Sequence, residues 1–286
     1  MSGVTVPKLV TVVLAVCLGA IGTTSAQTNS ERTELVQTAN ATIHVTVRGQ
    51  GEPVVFIPAS ARGVQDFEDL SRRIVAAGFQ AILPDPRGIG GSKGPLTGIS
   101  LHDMADDLAA VIRSTGGGRP ATVVGHALGN RVARMLASDH PNLTKQVILL
   151  APGGMVPPTP EITQAGTRVF DATAPRDERL AALQRAFFAR SNDAKVWENG
   201  WYLDVAPAQR AAMNRTPLGD WWAGGVAPIL VLQGTDDINA VRENAERLAA
   251  EFPNRVTLVE IPNAGHAMLP EQPERIAAAI LTYLRR

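Results

Sequence analysis

Six short, largely apolar runs punctuate the chain, at 54–57, 81–83, 121–124, 147–150, 229–232 and 256–259, broken only by Thr122 and Thr257. A strand with one wet face alternates apolar and polar residues, whereas an unbroken run suits a strand covered on both faces, as in a parallel sheet between helices. Helical patterns separate the runs; Leu101, Met104, Leu108, Val111 and Ile112 recur at three- and four-residue spacing and share one helix face. Before the first run, 41–47 alternates like a half-buried strand and 48–53 supplies a turn. Strand and helix in alternation predict an α/β fold with a doubly wound, mostly parallel sheet, right-handed crossovers and ligands at the carboxyl ends of the strands. With 286 residues, 45% of them hydrophobic, the chain can bury one large core.

The alternation stops over 157–225, where helical segments such as 176–190 follow one another without a strand. This stretch reads as an inserted helical lid that divides the core into 27–156 and 226–286. Trp197, Trp201, Trp221 and Trp222 all fall inside it, with Phe170, Phe187, Phe188 and Tyr202. These rings either pack the lid onto the body or wall an apolar substrate pocket, and the four tryptophans are the candidate pocket residues.

At the N-terminus, Lys8 precedes an apolar run at 9–21 and the small or polar residues Thr24-Ser25-Ala26. This pattern predicts a signal peptide over 1–26, cut after Ala26, and export to a periplasmic or extracellular location. The run is too short for a permanent membrane span, so no stable membrane insertion is expected after cleavage. Cys17, the only cysteine, leaves with the leader, which removes disulfides and thiolate chemistry from the mature chain. A lipidated Cys17 is disfavoured by the bulky Val16 before it. The 27 basic and 27 acidic residues cancel without like-charge runs, so no nucleic-acid partner is expected and a small-molecule substrate or ligand is.

The apolar run at 121–124 leads into Gly125-His126-Ala127-Leu128-Gly129, and the following helix buries Val132, Met135 and Leu136. A tight strand-to-helix turn flanked by glycines lifts one side chain above a sheet, the setting of a nucleophile elbow. Every position of G-x-S-x-G is matched except the one that attacks. Asp237 follows the run at 229–232, and His266 follows the run at 256–259, so both stand at strand carboxyl ends. The glycines at 88, 90, 91 and 94 read as a turn, because Lys93 stands where G-x-G-x-x-G needs its third glycine. No spacing suggests a metal site or a cofactor.

In the order elbow, acid, histidine, and in the segments Asp85-Pro86-Arg87-Gly88-Ile89-Gly90-Gly91-Ser92 and Glu271-Gln272-Pro273-Glu274, the chain resembles the α/β-hydrolase superfamily over essentially its whole length after the leader. The resemblance implies Asp237 as the acid, with Asp236 its neighbour, and His266 as the histidine. The other histidines, His44, His102, His126 and His140, suit structural roles, although His126 adjoins Ala127 and is also a candidate for touching substrate. Ala127 has no oxygen to attack a carbonyl, so no acyl-enzyme forms there.

An oxyanion hole is expected from the amides of Leu128 and of Ala59 or Ser60, since Pro58 has no amide hydrogen. Ser60 reads as a loop hydroxyl bonded to nearby backbone, or else as a displaced nucleophile. Arg62 is a candidate for holding a carboxylate or developing negative charge, or an ordinary surface arginine. The expected function is an exported, cofactor-free enzyme, a hydrolase or a lyase, acting on a small apolar ester, lactone or related carbonyl compound, with His266 and Asp237 as general base. The alternatives are a ligand-binding protein on a degenerate hydrolase fold and a serine esterase disabled at 127.

Overall fold

A computed structural model describes residues 30–286; the expected leader, with Cys17, lies outside them. The strands are β1 (Glu31–Gln37), β2 (Thr42–Arg48), β3 (Pro53–Ile57), β4 (Gln80–Pro84), β5 (Ala121–His126), β6 (Thr144–Leu150), β7 (Ile229–Gly234) and β8 (Val256–Ile261). They form one sheet in the order β1-β2-β4-β3-β5-β6-β7-β8. β1 and β2, and β2 and β4, pair antiparallel; every pairing from β4 through β8 is parallel.

Each apolar run of the sequence lies in a strand, and side-chain alternation sorts it onto two faces. Val55, Val123, Val147, Leu149 and Val231 enter one core, while Val54, Phe56, Val124, Ile148 and Leu232 enter the other. α2 (Leu101–Thr115), α3 (Leu128–Asp139) and α8 (Arg242–Glu251) cover the first face; α1 (Glu68–Ala76) and α10 (Pro273–Leu284) cover the second. α2 begins at a capping box, with the Ser100 hydroxyl accepting from the Asp103 amide and the Asp103 carboxylate from the Ser100 amide.

Two strands differ from expectation. β1 has no apolar run and is mostly exposed; it is held by antiparallel pairing with β2 and needs little burial. β8, expected to be covered on both faces, is only half covered because it is the edge strand.

Between β6 and β7 the chain is helical: α4 (Pro160–Val169), α5 (Arg176–Phe187), α6 (Ala206–Arg215) and the short α7 (Leu218–Trp221), with three-ten turns between them. α4 and α5 build a core of their own around Ile162, Val169, Leu183, Phe187, Phe188 and Trp197. A further short helix, α9 (Met268–Glu271), precedes α10. No helix among the described residues is long and apolar enough to cross a membrane.

Candidate active site

β5 ends at His126 and α3 begins at Leu128, so Ala127 alone carries the reversal from strand to helix. Its backbone sits at φ 50° and ψ −107°, where an L-residue is strained by about 1–3 kcal/mol. The flanking glycines are required sterically. A Cβ on Gly125 would stand 2.2 Å from the Gly129 carbonyl oxygen, and one on Gly129 would stand 2.1 Å from that of Ile57.

Hydrogen bonds hold the turn. The Ala127 amide donates to the Leu150 carbonyl at 3.1 Å, and the Asn130 side-chain amide donates to the Ala127 carbonyl. Asn130 is held in turn by Arg134, whose Nη2 donates to Asn130 Oδ1 at 2.5 Å and to the Gly153 carbonyl at 2.8 Å. Arg134 is fully buried without a carboxylate, under Trp221 and Trp222, and burial holds its guanidinium well below the usual range.

Asp237 and His266 meet across the ends of β7 and β8. His266 Nδ1 lies 3.0 Å from Asp237 Oδ2, and the Asp237 side chain is fully buried. Asp237 Oδ1 accepts from the amides of Asn239 at 2.9 Å and Ala240 at 2.8 Å, so the carboxylate is aimed before any ligand arrives. A carboxylate only accepts, which puts the proton on Nδ1 and leaves the Nε2 lone pair of the neutral ring free. Nε2 has no hydrogen-bond partner among the described residues, and His266 lines a cavity of about 320 Å³. Asp236 is exposed and bonds Thr235 instead.

Ala127, Leu128, Ala59, Ser60, Trp197 and Trp201 line the same cavity. Other predicted contacts are redirected. Ser60 Oγ donates to Gln209 Oε1 at 3.0 Å, so the hydroxyl is engaged by a side chain of α6 and neither by backbone nor by His266. Gln209 Oε1 also accepts from the Ala61 amide at 2.8 Å, which fixes this loop against α6.

Arg62 does not line the cavity and is not a surface residue. It is 3% exposed, bonded to both Asp66 oxygens and to the Asn199 carbonyl, and packed over the rings of Trp197 and Trp201. His126 does not reach the cavity: it is fully buried below it, and burial, with His266 nearby, pushes its pKa down to about 3. Trp221 and Trp222 join the core of α3 behind Gly154 and do not line the cavity. Aromatic character alone did not distinguish these two rings from Trp197 and Trp201.

Two side chains escaped the sequence reading of the site. Glu271 accepts from the amides of Ala189 at 2.7 Å and Gly265 at 2.8 Å and from Asn192 Nδ2 at 2.8 Å. It ties the helical segment to the residue before His266, and burial raises its carboxyl above the ordinary range. Its only sequence signal was its place in the Glu271-Gln272-Pro273-Glu274 stretch. Arg131 lines the cavity from the first turns of α3; its signal was a cation four residues after Ala127, which helical spacing puts on the same side.

Residues 37–279 match the family model described as alpha/beta hydrolase family. The 2-(acetamidomethylene)succinate hydrolase of Mesorhizobium japonicum is 26% identical over 273 residues, covering 87% of this chain and 94% of that protein. Among solved structures, a thermophilic esterase from Thermogutta terrifontis is 25% identical with a TM-score of 0.72, covering 89% of this chain and 98% of the other. The esterase EaEST from Exiguobacterium antarcticum, at 21% identity, superposes with a TM-score of 0.75 over 89% of this chain and 100% of its own, a likeness of fold.

Proposed function

The chain belongs to the alpha/beta hydrolase family, and we propose that it is an exported hydrolase of a small ester, lactone or related carbonyl compound that uses water, activated by His266, in place of a serine nucleophile. The observation that carries this reading is the 3.0 Å contact of His266 Nδ1 with the buried Asp237, which leaves the opposite ring nitrogen free beside the cavity.

In the proposed reaction a water oxygen bonds to the substrate carbonyl carbon while its proton passes to His266 Nε2. The negative charge that forms on the carbonyl oxygen is met by the Leu128 amide and by the amides of Ala59 or Ser60, none of which donates to an acceptor among the described residues. α3 packs close to the end of β3 through Gly129 and Ile57, which supports pairing these two loops around one oxyanion. Collapse of the tetrahedral species breaks the bond to the leaving oxygen, which takes the proton back from Nε2. A site of this class without its serine retains roughly 10³- to 10⁴-fold acceleration from the oxyanion hole and binding alone. The helical segment between β6 and β7 is assigned as a lid: Phe170, Phe187, Trp197 and Trp201 line the cavity and limit its access to bulk water, leaving room for the one water that reacts.

A second reading, a serine esterase disabled at 127, is favoured by the strained elbow itself, since the φ of 50° serves to present a nucleophile and Ala127 presents none. The two are separated by turnover of a panel of activated aryl esters and lactones with the parent, Ala127→Ser and His266→Ala. Parent activity abolished by His266→Ala supports the water mechanism. Activity only in Ala127→Ser supports the disabled esterase, and silence in all three supports a ligand-binding protein. Export rests on the leader pattern at 1–26; expression in a secreting bacterial host should give a product starting at Gln27, and retention of the leader in the cytoplasm overturns it.

A further inference from the structure

Arg131, half-buried, stands apart from the buried arginines. Arg62 is paired with Asp66 and Arg87 with Asp107, and Arg134 spends its donors on Asn130 and two carbonyls. Arg131 makes no hydrogen bond and no ion pair to any of the described residues; its guanidinium rests over the Trp221 ring at 5.1 Å from the centroid. Burial alone lowers its pKa, with no carboxylate to offset it. The site makes the cation costlier still, since it lies in the N-terminal half of α3, where the helix dipole disfavours positive charge, and close to the equally uncompensated Arg134.

The cavity that Arg131 lines is the one that holds Ala127 and His266. Among the described residues, Arg131 is the one ionisable residue in its wall apart from His266, and no aspartate or glutamate lines it. Phe170, Phe187 and Trp201 give the same cavity apolar surfaces. A guanidinium desolvated without a counter-ion gains most from a ligand that brings one, and its fork matches the two oxygens of a carboxylate.

We propose that Arg131 is the carboxylate-binding residue of this cavity, so that its substrate is a small compound with an apolar body and one carboxylate. The substrate part of this inference rests on the hydrolase reading above and narrows it to compounds that carry a carboxylate. The binding part does not depend on turnover.

The test uses benzoate and its neutral isostere benzamide as probes, titrated into the His266→Ala protein by calorimetry, with and without Arg131→Gln. Benzoate should bind at millimolar concentrations or tighter and benzamide at least about tenfold more weakly, and Arg131→Gln should erase the difference. In the absence of probe, Arg131→Gln should melt no lower than its parent, because it removes an unpaired charge, and benzoate should raise the Tm only where Arg131 is present. Arg131→Lys should bind benzoate to an intermediate degree, retaining charge without the fork. Equal binding of the two probes, no benzoate binding at millimolar concentrations, or benzoate binding unchanged by Arg131→Gln overturns the proposal. Since His266 is absent from these proteins, failure of the hydrolase reading would appear only in the ester and lactone panel.

Discussion

The Nε2–H of His126 donates to the backbone carbonyl of His266 at 2.8 Å, so the last residue of β5 holds the main chain of the histidine that faces the cavity. A carbonyl can only accept, which places the His126 proton on Nε2 and leaves Nδ1 buried without a partner among the described residues. The His126 ring also packs near those of Trp197 and His266, with centroids 5.7 and 5.8 Å away. A protonated ring there would be an unpaired charge in a dry core.

Stability should therefore fall in acid. Folded His126 stays neutral down to about 3, while in the unfolded chain it takes a proton below about 6.5. Its contribution is intact above pH 6.5 and is lost as pH falls toward 3, at about 1.4 kcal/mol per pH unit. Denaturation midpoints measured across this window should decline less steeply in His126→Gln; the same slope in both proteins would refute the assignment.

The strain at Ala127 predicts a stabilising substitution. Ala127→Gly should gain about 1 kcal/mol, the relief of φ 50° less the entropy that glycine loses on folding. Urea denaturation reads this directly, and a loss of stability would mean that the elbow is relaxed with alanine in place.

Gly129→Ala should do the reverse. Its new Cβ would meet the Ile57 carbonyl at 2.1 Å, backbone against backbone, and the closely packed elbow has no slack to absorb it. A cost of at least about 3 kcal/mol is expected, with the loss visible in the same urea experiment.

Glu271→Ala should leave the Ala189 and Gly265 amides and the Asn192 side chain without their acceptor, at a cost of about 2–3 kcal/mol. Glu271→Gln keeps an acceptor oxygen and should cost less. If the two variants melt together, the carboxylate is not what ties the helical segment to the loop carrying His266.

Asp237→Asn should lower any His266-dependent turnover by about 10³-fold or more, because an amide can donate to Nδ1 and so stabilise the wrong tautomer. Asp236→Asn, exposed and without contact to His266, should leave the rate within about twofold. Steady-state kinetics on the best ester or lactone from the panel decides between the two carboxylates.

Much of the fold was legible because its signals are local. Val54 through Ile57 and Ile229 through Leu232 are apolar at every position, and only a strand covered on both faces buries all of them. β1 was illegible for the converse reason: its backbone pairing with β2 carries no side-chain pattern. The strand-end positions of Ala127, Asp237 and His266, and the glycines that make the elbow possible, were equally readable from chain order.

By itself, then, the sequence determined the strands, their alternation with helices and the places where the candidate acid, histidine and elbow stand along the chain. Tertiary structure alone decided which of several chemically identical side chains faces the cavity: Arg131 rather than Arg62, and Trp197 and Trp201 rather than Trp221 and Trp222. The physical reason is that strand and turn signals are carried by neighbours in sequence, whereas the partner of a charge or ring is supplied by residues distant in sequence. Arg62 is stacked on rings more than a hundred positions away, while Arg131, on a helix that brings it no carboxylate, is left facing the cavity unpaired.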